Sequence, residues 1–278
     1  MSEAHIYLNG QIVPLEQAAI SPLDIGLLRG FAVFDLLRTV GGRPFLLAEH
    51  LERLRASAAR LGLTVPATDA DIEQVIVSLL ELNDHDEATV RLVLTGGVSP
   101  DGMKYDRERP TFMILTHDLH EPPAEIYERG ARLVLHEHTR EFPQAKTTNY
   151  LTMLAHRDAV NASGALDLLY HAGGVVSEAA SASVYFVKDG CIHAPAQGVL
   201  RGTIGELVLG LAEGRHAIVH DEISVTAALD ADEVFLTSTT RGVVPIVKLD
   251  DITIGEGSPG PVTRDLMQLY AETAVSGL

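Results

Sequence analysis

Alternation and helical spacing divide the chain into elements before any residue is given a role. His5-Ile-Tyr-Leu, Asn9-Gly10 and Gln-Ile-Val-Pro read as a strand, a tight turn and a second strand. Asn-Gly tolerates the positive φ that a two-residue hairpin demands. Gly30 to Val40 is a further β-arm ahead of Gly41-Gly42. From Leu46 to Leu61 leucines and alanines recur at helical spacing until Gly62 stops the run. A second helix is predicted over Asp69 to Leu82, opened by Asp69 or Asp71. Thr89 to Gly96 and Thr111 to Thr116 are strand-like. Pro122-Pro123, in an acidic stretch, then marks a boundary. It separates a small N-terminal α/β domain, residues 1–120, from a larger C-terminal one, residues 121–278.

Past that boundary Ala131 to Leu135 reads as a strand, and Asn149 to Ala162 as a helix ended by Ser163-Gly164. Leu166 to Tyr170, Ser183 to Val187 and Cys191 to Ala194 are short strands joined through Gly173-Gly174 and Asp189-Gly190. Thr203 to Glu213 is helical, Glu233 to Leu236 a strand, and Val262 to Thr273 a closing helix. This mixture predicts an α/β (α+β) fold.

Composition narrows the function classes. A net charge of −17 argues against nucleic acid and acidic membrane surfaces as partners. No apolar run approaches membrane length and no secretory leader pattern opens the chain, so a cytoplasmic protein is expected. Cys191 is the single cysteine, which excludes an internal disulfide and suits a reducing compartment.

The chain has four lysines, and three of them stand among charges or at turns: Lys104, Lys188 and Lys248. Lys146 differs, since only Glu141 is acidic in the stretch around it. An amine with little solvation has a lowered pKa and becomes a competent base and nucleophile. Farther on, Glu178 stands alone in Val175-Val-Ser-Glu-Ala-Ala. A lysine to hold the aldehyde and an acid to keep the ring nitrogen protonated are the two groups a pyridoxal cofactor needs. Tyr150, four residues after the lysine, can steady the ring's phenolic oxygen. Gly198-Val-Leu-Arg-Gly202-Thr203-Ile204-Gly205 enters a helix where free amides favour an anion. Thr237-Ser238-Thr239-Thr240 offers a second, hydroxyl-rich turn after a strand. His136-Glu-His138 has the strand spacing of a metal pair but no evident third ligand, so a solvated strand edge is expected and no metal. His50 is read as opening or packing the helix that carries Arg53. Phosphate-loop and dinucleotide fingerprints are both missing from the sequence.

Taken in order, these motifs resemble the class IV aminotransferases, the fold-type IV pyridoxal phosphate enzymes. The likeness runs from Tyr7-Leu-Asn-Gly10 through Arg29-Gly30, Val33-Phe34-Asp35 and His50-Leu-Glu-Arg53-Leu54 to Thr237-Ser-Thr-Thr-Arg-Gly-Val-Val-Pro245. The resemblance implies two α/β domains with pyridoxal 5'-phosphate between them, and a homodimer. It matches Lys146 to the lysine that binds the cofactor covalently, Glu178 to the glutamate on the pyridine nitrogen and Tyr150 to the tyrosine near the ring oxygen. Arg53, Thr203, Ile204, Ser238 and Thr239 match the phosphate-binding positions. The chain lacks the Arg-x-His trap of bacillus-type D-amino acid aminotransferases and the Tyr-x-Arg of branched-chain enzymes. It has Arg29 and Arg91 instead, similar to a less usual group of D-amino acid aminotransferases in which arginines hold the substrate carboxylate. Thr240 joins them as a substrate-facing residue. The implied activity is transamination between a D-amino acid (D-alanine or D-glutamate) and a 2-oxo acid (2-oxoglutarate or pyruvate). An L-branched-chain aminotransferase and an aminodeoxychorismate lyase are the alternatives. A structural salt bridge to Asp35 or Asp24 is the competing reading of Arg29 and Arg91.

Overall fold

A computed structural model describes residues 4–276, which divide into two compact units. The first takes residues up to His120 together with Ala145–Asn149, and the second takes Glu121–Gln144 and Tyr150–Ser276. Residues 1–3 and 277–278, the outer ends of the two predicted domains, lie outside the described residues. The placement of Ala145–Asn149 differs from the sequence reading, and backbone pairing accounts for it. Val33 forms an antiparallel bridge with Thr147. The Phe34 N–H donates to the Lys146 carbonyl at 2.9 Å, and the Thr148 N–H donates to Ala32 at 3.1 Å.

In the first unit the strands are β1 (His5–Leu8), β2 (Gln11–Pro14), β3 (Ala32–Val40), β4 (Arg43–Pro44), β5 (Ala88–Thr95) and β6 (Thr111–Asp118). They form one antiparallel sheet in the order β2-β1-β6-β5-β3-β4. The first hairpin turns on Asn9 and Gly10 at φ 47° and 95°, as its sequence requires. Three helices accompany the sheet: α1 (Ile25–Arg29), α2 (Leu47–Arg60) and α3 (Asp69–Leu82). Leu51 and Leu54 of α2 and Ile72, Ile76 and Leu79 of α3 share one buried cluster with Val33, Leu37, Val90, Leu92 and Phe112 of the sheet. Each such side chain, once buried, contributes about 1.5–3 kcal/mol. The opener of α3 is Thr68 rather than either aspartate: its hydroxyl accepts from Asp71 N–H, and the Asp71 carboxylate accepts from Thr68 N–H. Asp71 is therefore the far half of a capping box, which is why its carboxylate is drawn below the usual range.

The second unit is built on one large mixed sheet. Its strands are β7 (Ala131–Glu137), β8 (Asp167–Ala172), β9 (Val175–Ala179), β10 (Ser183–Lys188), β11 (Cys191–Pro195), β12 (Ile218–Asp221), β13 (Ile223–Ser224), β14 (Glu233–Ser238), β15 (Gly242–Leu249) and β16 (Ile252–Thr253). The order is β12-β11-β10-β14-β15-β7-β8-β9-β13, with β16 beside β15. β7 runs parallel to both β15 and β8, while β14 pairs antiparallel with β10 and β15. The helices are α4 (Glu125–Glu128), α5 (Leu151–Ala162), α6 (Thr203–Ala212), α7 (Val225–Leu229) and α8 (Pro261–Ser276). β14 and β15 are almost continuously buried, and the core joins Leu133, Leu169, Val184, Leu236, Val244 and Ile246. The α/β reading of the sequence holds in both units.

Candidate active site

In the first unit the predicted residues gather around β3. Side chains alternate along it, so Asp35 points to the side covered by α2 while Phe34 points to the other. On α2, His50 and Arg53 are three residues apart and hence on one face. Both reach Asp35. The Arg53 Nε donates to Asp35 Oδ2 at 2.8 Å and Nη2 donates to Oδ1 at 2.8 Å, a bidentate pair. His50 Nδ1 lies 2.7 Å from Asp35 Oδ1. Burial alone would raise the Asp35 carboxylate, but Arg53 and His50 outweigh it and hold the group well below the usual range. His50 is fully buried, and loss of solvation lowers its pKa against the opposing pull of Asp35. A neutral imidazole with its Nδ1–H on Asp35 leaves Nε2 as an acceptor, and among the described residues Nε2 has no partner.

Lys146 is half-buried, and its backbone N–H donates to Ser57 Oγ of α2 at 3.1 Å. Its Nζ lies 4.8 Å from the centre of the Phe34 ring. The guanidinium carbon of Arg91 lies 5.3 Å from the same centre, so amine and guanidinium are no farther apart than those two distances together. Arg29 is exposed and donates to the Leu28 carbonyl at 3.0 Å. The two acids offered by the sequence as ion-pair partners for these arginines are engaged elsewhere. Asp35 holds His50 and Arg53, and Asp24 accepts from Gly26 N–H and from the Thr95 and Thr111 hydroxyls.

The second unit carries the remaining predicted residues. Glu178 on β9 is buried, but it does not stand alone as its sequence neighbourhood suggests. Arg140 donates to Oε1 at 2.5 Å and the Leu200 N–H donates to Oε2 at 3.0 Å. Arg140, the ion-pair partner of Glu178, was not singled out in the sequence. Its only signal was a lone arginine in a loop thirty-eight residues before its partner. Tyr150 is the N-cap residue of α5. Tyr170 on β8 has its phenol pushed up to about 12, first by burial and then by the charge of Asp167, and Tyr150, Arg140 and Glu178 also act on it electrostatically. Thr203 and Ile204 open α6 and are buried. The N-cap is Gly202, which no side chain caps among the described residues. A Cβ on Gly202 would fall 2.5 Å from Ser183 Oγ, and one on Gly205 would collide with the Tyr185 hydroxyl. Ser238 ends β14 and accepts from Arg241 Nε at 3.1 Å, while Thr239 and Thr240 follow, half-buried, in the turn to β15.

His136 and His138 correct a further expectation. β7 is an interior strand, not an edge, and both imidazoles are half-buried. His156 of α5 packs 4.4 Å from His136, ring centre to ring centre, and Tyr170 lies 4.7 Å from His138. Among the described residues no group of three or more His, Cys, Asp or Glu side chains is arranged to hold a metal.

Residues 32–249 match the family model for amino-transferase class IV. The chain belongs to the class IV aminotransferases. Enzymes of this class use pyridoxal 5'-phosphate. A relative from Methanocaldococcus jannaschii, provisionally named a branched-chain-amino-acid aminotransferase, is 30% identical, covering 96% of this chain and 95% of its own. A D-alanine aminotransferase of Listeria monocytogenes is 27% identical, covering 96% and 95%. Among solved structures, the T.th. branched-chain amino acid aminotransferase with pyridoxamine 5'-phosphate superimposes with a TM-score of 0.89 at 26% identity, covering 99% of this chain and 95% of that one. The same enzyme complexed with N-(5'-phosphopyridoxyl)-L-glutamate gives 0.86. No helix among the described residues is long and apolar enough to cross a membrane.

Proposed function

We propose that this class IV aminotransferase exchanges the amino group of a D-amino acid, D-alanine or D-glutamate, with a 2-oxo acid such as 2-oxoglutarate or pyruvate. The observation that carries the reading is the position of Lys146 and Arg91 about one ring, that of Phe34. A charge-assisted bond from guanidinium to carboxylate takes about 2.8 Å. A reacting amine stands about 3–3.5 Å from the carbon it serves. The sum of the two ring distances is an upper limit on the separation, which keeps Arg91 and Lys146 close enough for one amino acid to meet both, its α-carboxylate at Arg91 and its α-carbon at Lys146. Arg29 and Thr240 supply further carboxylate contacts in this reading. The arginine pair, and relatives named D-alanine aminotransferase, favour D-amino acids. The M. jannaschii relative favours L-branched-chain substrates and is the reason to keep that second reading.

The donor set suits pyridoxal 5'-phosphate. A buried carboxylate held in place by Arg140 and the Leu200 amide is a group of the kind that keeps a ring nitrogen protonated. A helix start that no side chain caps among the described residues, on a ten-residue helix, suits a phosphate. In this reading Lys146 Nζ would hold the cofactor covalently and, once released by the incoming substrate amine, would be the amine that takes the α-proton. Glu178 keeps a proton on the pyridine nitrogen, and Arg140 fixes the orientation of that carboxylate. Tyr150 donates to the phenolic oxygen. Arg53, the Thr203 and Ile204 amides and the Ser238 and Thr239 hydroxyls hold the phosphate. When bound, the cofactor serves as the sink for the electrons released at the α-carbon. The enzyme is proposed to work as a homodimer in the cytoplasm.

A screen of D- and L-amino acids against the visible absorption of the cofactor-loaded enzyme tests the stereochemistry. D-alanine and D-glutamate should bleach the band, and Arg91→Ala should raise the concentration of D-alanine required by about ten- to a hundredfold, the range for losing a bond to a charged group. Bleaching by L-leucine and L-valine alone would replace the D-amino acid reading with the branched-chain one.

A further inference from the structure

Arg53 is matched to the cofactor phosphate, yet its Nε and Nη2 are committed inside the protein. Asp35 Oδ1 accepts from three donors: Arg53 Nη2, His50 Nδ1 and the Leu36 N–H at 2.8 Å. Oδ2 accepts from Arg53 Nε. The acid has no exposed surface, and the Arg53 side chain is only 13% accessible. Three of these four groups are rigidly placed. Asp35 sits mid-strand on β3, the Leu36 amide belongs to the same strand, and His50 is one turn before Arg53 on α2. A planar guanidinium gripped along two of its three nitrogens cannot rotate, so of its five N–H groups the two on Nη1 and the second on Nη2 are left to face a ligand.

We infer that Asp35 and His50 are positioning residues that aim Arg53 at the phosphate of the cofactor, making this pair a determinant of selection for the phosphorylated form. The inference rests on the pyridoxal phosphate reading above. His50 serves the arrangement by staying uncharged: it lends a donor to Asp35 without adding a second positive charge beside Arg53. The Asp35 charge is thereby left to the guanidinium. A protonated imidazole would compete for it and repel Arg53, whose Nη2 is 3.3 Å from His50 Nδ1. Arginine held in this way discriminates a phosphate from a hydroxyl, whereas an arginine free to swing loses part of that bond to ordering.

The test compares two ligands on the full chain after the cofactor has been removed from the purified enzyme. Pyridoxal 5'-phosphate and pyridoxal, which lacks the phosphate, are titrated into wild type, Asp35→Asn and His50→Asn while the visible absorption is followed. Asp35→Asn should weaken the phosphate ester about tenfold or more and leave pyridoxal within about twofold. His50→Asn keeps the Asp35–Arg53 pair and offers an amide donor, so it should fold even where Asp35→Asn does not, and lose about threefold for the ester alone. Equal weakening of both ligands, or ester binding in His50→Asn and Asp35→Asn as tight as wild type, overturns the inference. A wild-type chain that takes up neither compound overturns the proposed function and this inference with it.

Discussion

Burial takes the His50 imidazole out of water, and that loss of solvation, larger than the pull of Asp35, leaves it neutral in the folded chain. Its pKa is below the ordinary value of about 6.5. The unfolded chain therefore binds a proton that the folded one refuses, and the contribution of this site to stability is complete above about pH 6.5 and erodes as pH falls below it. Melting temperature followed from pH 8 to pH 5 should decline in wild type more steeply than in His50→Asn. Parallel curves would mean that the imidazole is charged in the fold. Asp35 has the same sign at lower pH, since its carboxylate is held below the usual range and its stabilisation fades only under about pH 4. None of this was visible in the sequence, where His50 looked like an ordinary helix residue. The strand that carries its partner lies fifteen residues earlier, and only the fold brings the two together. Glu178 shows the same limit. Its apolar neighbours correctly suggested burial, but a carboxylate is buried only with partners, and Arg140 and Leu200 are remote in sequence.

Periodicity served well wherever one face of an element is dry and the other wet. α2, α3, α5, α6 and α8 follow their leucine, alanine and valine spacing, and the Asn9-Gly10 hairpin follows its turn chemistry. What the pattern concealed has physical causes. β9 reads as an apolar stretch interrupted by an acid because Glu178 occupies an inward position of the strand. β15 contains Pro245, which reads as a breaker. The pairing with β7 starts only at Ile246, so the residue without an N–H lies outside that ladder. α1 has five residues and takes its start from the Asp24 carboxylate, too short a run for any spacing to register. The start of α3 was misjudged because aspartate is a common cap, yet Thr68 has the capping geometry and Asp71 answers it. Thr68→Ala should cost about 1 kcal/mol in a urea or thermal unfolding measurement. A change within a few tenths would show that the box is not holding the helix end.

For the whole molecule, a net charge of −17 argues against polyanionic partners, and it is the class IV family membership that gives amino and 2-oxo acids as substrates. The order of motifs along the chain carried the family, because several individually ambiguous matches in one order are jointly specific. Substrate handedness was not encoded so directly: in the proposed reading it rests on the Arg29 and Arg91 forks, and similar chains bear both branched-chain and D-alanine names. Chemistry in either case begins at one amine among the four lysines of the chain. Borohydride reduction of the cofactor-loaded enzyme, followed by peptide mapping, identifies that amine. The modification is expected on Lys146, with Lys146→Ala colourless and unmodified; a phosphopyridoxyl group on Lys104, Lys188 or Lys248, or on no lysine at all, would contradict it.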